Sequence, residues 1–337
     1  MAQNGAKWWK RKALYNMDFL LQPLGSISYA LGISIDPART IIGKEGWLYL
    51  GDAYESSITT KRMGVQIKDE ETIEKIANSV ESWNNWFKHK GVEEFRIILG
   101  PDKDSIYPEY LPDWSKHATQ TVTDAMINRT TADIYINPAA ALRQAKSKHP
   151  HPFYYKTDTH WNNLGAWLAF YEFSQNLARA RPELGWPQPR GTSSLLERPG
   201  GDLANFLRIQ NSLKDHETVL DFHLSYPTPV EHYDLKSGEK IYSGQANPIA
   251  APLTPLLVRS AEALNTKRVL WLRDSFGTAM APFMAATFSE IIQVHYLKIK
   301  PSELVGLIER YHPDYVFITS VERDSRGAFF QTLPPST

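Results

Sequence analysis

The chain has 337 residues, with 37 basic and 37 acidic side chains and no cysteine. Balanced charge gives no global field to draw in nucleic acid or a polyacidic partner, and the missing thiols exclude a cysteine nucleophile, thiolate metal sites and disulfides. The length exceeds the usual single-domain mode but suits one α/β domain carrying an insertion, and the apolar content is ample for a large core.

The start, Lys7-Trp8-Trp9-Lys10-Arg11-Lys12, is basic and aromatic, and no secretory signal pattern is visible in it. The apolar stretch from Ala13 to Ile35 is broken by Asn16, Asp18, Gln22 and Pro23, whereas a spanning helix needs about 20 mostly apolar residues. Residues 1–40 read as an amphipathic segment. It either packs on the body, or residues 1–35 lie at a membrane surface with Trp and Lys at headgroup level. The remainder, residues 41–337, reads as one catalytic-type α/β domain.

Residues 41–50 predict a hairpin turning at Lys44-Glu45-Gly46. In residues 69–90, Ile73, Ile76, Val80, Trp83 and Phe87 recur at helical spacing, and Gly91 stops the helix. Strands are expected at 95–100, 132–136 and 153–155, and helices at 121–128, 138–148 and 163–181. After a proline-rich, polar insertion at about 182–266, with a hairpin turning at Ser237-Gly238, the alternation resumes. It runs as strand 268–273, helix 277–286, strand 290–294, helix 302–311 and strand 315–319. Such alternation argues a parallel sheet with helices on both faces.

Two motifs carry chemistry. Asp158-Thr159-His160-Trp161 places a carboxylate and an imidazole between a predicted strand and a helix. Arg273-Asp274-Ser275-Phe276-Gly277 places a serine after the apolar run Arg268–Leu272, at a strand-to-helix turn. Open α/β sheets bind ligands at that edge, and triads are recognised by geometry and roles rather than chain order. In the nucleophilic reading Ser275 attacks, His160 carries the proton and Asp158 orients the imidazole. The plain alternatives are an N-cap serine, a capping aspartate and a packed histidine. Gly201, in Gly200-Gly201-Asp202-Leu203, offers a flexible turn that could bring an N–H to an oxyanion, or an ordinary turn with a capping Asp202. Asp102 and Lys103 follow the 95–100 strand, and Glu322 and Arg323 follow the last strand. These four are expected at the same sheet end, either lining an acceptor cleft or forming a structural ion-pair cluster. His149 and His151 lie in a proline-held loop without further ligand spacing, so neither a metal nor a cofactor is expected.

Together these segments resemble the alginate O-acetylation proteins of the AlgJ and AlgX type, an SGNH-hydrolase-like family. The matching pieces are Ile42–Leu50, Pro101-Asp102-Lys103 with Tyr107–Pro112, Asp158–Trp161, Gly201–Leu203 and Asp274-Ser275, in the family's order over roughly residues 40–325. The resemblance implies an SGNH-like α/β fold with rearranged motif order, the Asp/His block preceding the serine. It implies a triad at Ser275, His160 and Asp158, and transfer of acetyl groups to hydroxyls of an exopolysaccharide in the bacterial periplasm or envelope. It also implies an acetyl donor supplied through a membrane-embedded acyltransferase. An acetylesterase using water with the same residues, and a non-catalytic scaffold or polysaccharide-binding protein, are the competing expectations.

Overall fold

The computed structural model describes residues 18–131, 133–222 and 227–335. An N-terminal helix, α1 (Asp18–Ala30), precedes a short antiparallel hairpin of β1 (Thr40–Ile42) and β2 (Leu48–Leu50) around a 3-10 turn at Lys44–Gly46. Glu45 and Gly46 both have positive φ there, as so short a connection demands. Helices α2 (Ser57–Met63) and α3 (Glu70–His89) lead to β3 (Glu94–Gly100). Then follow α4 (Lys103–Ile106), α5 (Val122–Arg129), β4 (Tyr135–Ile136), α6 (Ala139–Ala145) and α7 (Asn163–Ala180).

The insertion contributes five strands: β5 (Pro189–Pro199), β6 (Lys214–Phe222), β7 (Pro229–Asp234), β8 (Lys240–Gln245) and β9 (Leu256–Arg259), with α8 (Asp202–Phe206) between the first two. The chain closes through β10 (Asn265–Arg273), α9 (Ala281–Thr287), β11 (Phe288–Val294), α10 (Pro301–Tyr311) and β12 (Tyr315–Val321). The main sheet has the order β4-β3-β12-β10-β11-β9-β7-β8. Its first five strands are parallel, and β9, β7 and β8 extend it antiparallel.

Strand alternation sets the two faces. Val269 and Trp271 of β10 and Tyr315 and Phe317 of β12 point to the side covered by α6, α7 and α9. Leu270, Leu272, Val316 and Ile318 point to the side covered by α3, α5 and α10. Period-two side chains on strands buried on both faces give the continuous apolar runs seen in the sequence.

Two expectations are corrected. Residues 153–155 are not a sheet strand. Their backbone folds back on itself, with Tyr155 N–H donating to His160 O, Asn162 N–H to Phe153 O, and an isolated bridge between Tyr154 and Trp161. The three aromatics are buried as a strand's would be, which is why composition alone misled. The helix expected from Gly277 begins at Ala281, because a 3-10 turn, Ser275–Gly277, intervenes. The insertion carries β structure, as expected. Its hairpin β7–β8 continues the main sheet through β9, and only β5–β6 stands as a separate ribbon. Helix α1 packs on the 207–209 segment, and a Cβ at Gly25 would lie 2.3 Å from Leu207 O. Residues 1–17, with the basic start, lie outside the described residues.

Candidate active site

The serine is positioned by the end of β10. Asp274 leaves the strand with its N–H on Thr319 O of β12, and its side chain accepts the Phe276 N–H at 2.9 Å. Asp274, not Ser275, is therefore the N-cap, and the serine side chain is left exposed and uncommitted to the turn. The Phe276 ring seats against Gly100 at the end of β3, where a Cβ would lie 2.3 Å from the ring, so only glycine admits it. Burial pushes the Asp274 carboxyl up, although the Val321 and Phe276 N–H groups oppose this.

The Asp158–His160 turn is held by several elements. Lys103 Nζ, at the start of α4, donates to the carbonyls of Tyr155, Lys156 and Asp158 at 3.0, 3.0 and 2.7 Å. Asp215 of β6 accepts from the Thr157 N–H and hydroxyl at 2.8 and 2.7 Å. Trp161, the last residue of the motif, donates its indole N–H to Phe276 O at 3.0 Å and packs edge-on against the Phe276 ring. That contact ties the two sequence motifs together.

The result is a continuous hydrogen-bonded chain. His160 Nδ1 lies 2.7 Å from Asp158 Oδ1, and His160 Nε2 lies 2.8 Å from Ser275 Oγ. With Nδ1 facing a carboxylate, that nitrogen carries the proton and Nε2 is free to accept from the serine hydroxyl. Burial would raise Asp158, but the hydrogen bond and charge of His160 hold it well below the usual carboxylate range. Burial would lower His160, but its hydrogen bond to Asp158 and the charges of Asp158 and Asp202 raise it, with Arg323 opposing. A base must be neutral to accept a proton, so turnover is expected to rise with pH through a midpoint above the ordinary histidine value of about 6.5. A kcat/KM profile with its acid limb below that value would contradict this.

The triad opens into a cleft of about 270 Å³ lined by Tyr155, Trp161, Arg198, Glu217 and Pro248, besides the triad itself. Arg198 of β5 stacks over the Tyr155 ring at 4.1 Å and approaches Asp158 Oδ2 at 3.8 Å. The insertion therefore builds one wall of the cleft. A larger groove of about 990 Å³ is lined by Glu231, Arg259, Arg268 and Asp314, which belong to strands or loops at the opposite sheet edge and contribute nothing to the triad.

The remaining sequence candidates gather at the same edge, but beneath the site. Asp102 and Glu322 are buried and bonded to each other's segment, the Asp102 N–H donating to Glu322 Oε2 at 2.9 Å. Lys61 Nζ lies 3.0, 3.0 and 3.3 Å from carboxylate oxygens of Asp102, Asp104 and Glu322. Arg323 pairs with Asp102 from the other side. These groups form an ion-pair cluster, and none of them lines the triad's cleft, although Glu322 reaches a separate groove of about 770 Å³ beside Ser105 and His117. Lys103 is fully turned to backbone carbonyls, and burial pushes its ammonium down to about 8. Gly201 comes close to the site, but its N–H donates to Thr157 Oγ1 at 2.9 Å, which withdraws it from an oxyanion role.

Sequence reasoning missed Lys61, whose position in a short helix shows no pattern, and Asp202, read only as a cap. Asp158, His160 and Asp202 offer donor atoms within 4.8 Å of one another. Their lone pairs and protons are largely spent on each other and on Thr159, so the arrangement is that of a hydrogen-bonded relay. His149 and His151 take no part in it.

A family model described as SGNH hydrolase-like domain, acetyltransferase AlgX, matches residues 40–250. A probable alginate O-acetylase AlgJ of Pseudomonas fluorescens is 27% identical over 250 residues, covering 70% of this chain. The chain spans 59% of that relative's length. Among solved structures, Bacillus cereus PatB1 superposes with a TM-score of 0.65 at 16% identity, covering 86% of this chain and 99% of that one. The O-acetyltransferase domain of Pseudomonas putida AlgJ gives 0.52 at 16% identity, covering 86% and 92%. At such identities the superpositions establish the fold. No helix among the described residues is long and apolar enough to cross a membrane.

Proposed function

Because this chain belongs to the SGNH hydrolase-like domain family of acetyltransferase AlgX, we propose that it transfers acetyl groups to hydroxyls of a bacterial exopolysaccharide through an acetyl-serine intermediate. The carrying observation is the unbroken run Ser275 Oγ, His160 Nε2, His160 Nδ1, Asp158 Oδ1 at 2.8 and 2.7 Å. Ser275 Oγ attacks the acetyl carbonyl while His160 takes its proton. The collapsing intermediate expels the donor's leaving group, which His160 protonates. A sugar hydroxyl then gives its proton to His160, attacks the acetyl-enzyme and leaves as the ester, with Ser275 reprotonated. Asp158 keeps the imidazole in the useful tautomer and supports its charged form.

The Ser275 N–H opens the 3-10 turn, where first N–H groups have no partner within the turn. We assign it to the developing oxyanion. The donor is delivered by a membrane-embedded acyltransferase in the bacterial envelope. Helix α1 exposes Leu24 and Ile27, an apolar surface suited to that delivery.

The test is acetyl release from a chromogenic acetyl ester, with and without acidic and neutral oligosaccharides. Acetylated oligosaccharide supports transfer. Acetate alone, at equal rate with every acceptor, assigns the site to an acetylesterase. No acetyl turnover of any kind would leave a scaffold.

A further inference from the structure

Asp202 begins α8, and a carboxylate in a helix's first turn ordinarily serves its own helix. This one is bonded to another segment. Its Oδ1 accepts the Thr159 N–H at 2.8 Å and its Oδ2 accepts the Thr159 hydroxyl at 2.6 Å. Thr159 is the residue between Asp158 and His160, so the grip falls on the middle of the catalytic turn. The Thr159 hydroxyl also lies 3.2 Å from His160 Nδ1, and Asp202 Oδ2 lies 4.0 Å from the same nitrogen. The embrace is mutual. The Asp202 N–H points at Asp158 Oδ2 from 3.4 Å, and a Cβ at Gly201 would lie 2.3 Å from Asp158 Cβ. Behind them, the Ala204 N–H donates to Thr157 O.

We propose that Asp202 is a positioning residue, which fixes the Asp158–His160 turn through Thr159 so that His160 Nε2 is aimed at Ser275. This rests on the triad reading above. A histidine that must stay within hydrogen-bond reach of both partners tolerates little rotation, and groups that orient a reacting side chain are worth about 10- to 100-fold in rate.

Asp202 also sets charge. His160 is faced by Asp158 on its own turn, Asp202 from α8, Asp274 and Ser275 from the end of β10, and Arg323 after β12. Arg198 of β5 lies across Asp158, and Lys103 lies beneath the turn. Two carboxylates raise the imidazole and Arg323 lowers it. Neutralising Asp202 removes one of the raising charges, so the acid limb of activity moves to lower pH.

The experiment compares wild type with Asp202→Asn, Asp202→Ala, Thr159→Val and Thr159→Ser on a chromogenic acetyl ester across pH, alongside melting temperature. Asp202→Ala and Thr159→Val are expected to lower kcat about 10- to 100-fold with KM little changed. Thr159→Ser, which keeps the hydroxyl, recovers most of that loss, and Asp202→Asn shifts the acid limb downward. Equal losses in Thr159→Ser and Thr159→Val, or an unmoved acid limb in Asp202→Asn, would overturn the assignment even if one alanine variant failed to fold. Turnover surviving in Ser275→Ala would instead count against the triad itself.

Discussion

Replacing Ser275 by alanine is expected to lower acetyl-ester turnover by at least about 1,000-fold, since removal of a triad nucleophile leaves only binding and oxyanion stabilisation. The same substitution should leave the unfolding free energy within about 1 kcal/mol of wild type. The two halves of this expectation come from one feature. Ser275 is exposed, and its hydroxyl is bonded to His160 rather than to the turn. The capping duty falls on Asp274, which takes the Phe276 N–H. Had the serine been the cap, activity and stability would fall together. Near-normal turnover in the variant, measured with a chromogenic acetyl ester, would move the nucleophile elsewhere.

Replacing Lys61 by methionine is expected to cost about 3–5 kcal/mol, the scale for removing one member of a buried ion cluster. Lys61 and its partners Asp102, Asp104 and Glu322 are all less than a tenth exposed. Burial alone would lower the ammonium, but the three carboxylates raise it, so it stays charged. Arg323 pairs with Asp102 from the other side, and His117 Nε2 lies 2.8 Å from Asp104 Oδ2. They cannot replace a charge placed between three carboxylates. The variant leaves those carboxylates sharing too little positive charge at the root of the β3 and β12 loops. A urea titration measures the loss, and a change below about 1 kcal/mol would contradict the cluster's structural role. Because Asp102 and Glu322 also support the segments next to the site, turnover should fall together with stability.

What was legible in the sequence follows the range of the physics involved. Helical periodicity marked α3 over 69–90 against the observed Glu70–His89, and apolar runs marked β10 and β12. Both signals are local. The Asp158–His160 and Asp274–Ser275 motifs were also legible, as short runs of polar residues directly after apolar ones, and the fold brings His160 Nε2 to 2.8 Å from Ser275 Oγ. The misreading of 153–155 shows the limit. Buried aromatics look alike whether their backbone pairs in a sheet or folds on itself. Placement of Asp102, Lys103, Glu322 and Arg323 at one edge followed from parallel topology, but their inward direction did not. For Asp102 and Glu322 it depends on Lys61, which comes from a short helix with no sequence signature, and for Lys103 on the carbonyls of Tyr155, Lys156 and Asp158. Asp202 was hidden for a similar reason, since its partner Thr159 lies 43 positions away.

In the proposed reaction Ser275 carries the acetyl group during turnover. A rapid acid quench of the enzyme mixed with an acetyl ester, followed by peptide mass analysis, tests it directly. One added acetyl group is expected on the peptide containing Ser275, absent from Ser275→Ala and removed when an acceptor sugar is supplied. An unmodified Ser275 peptide during steady turnover, or an acetyl group found on another residue and discharged by the acceptor, would contradict it.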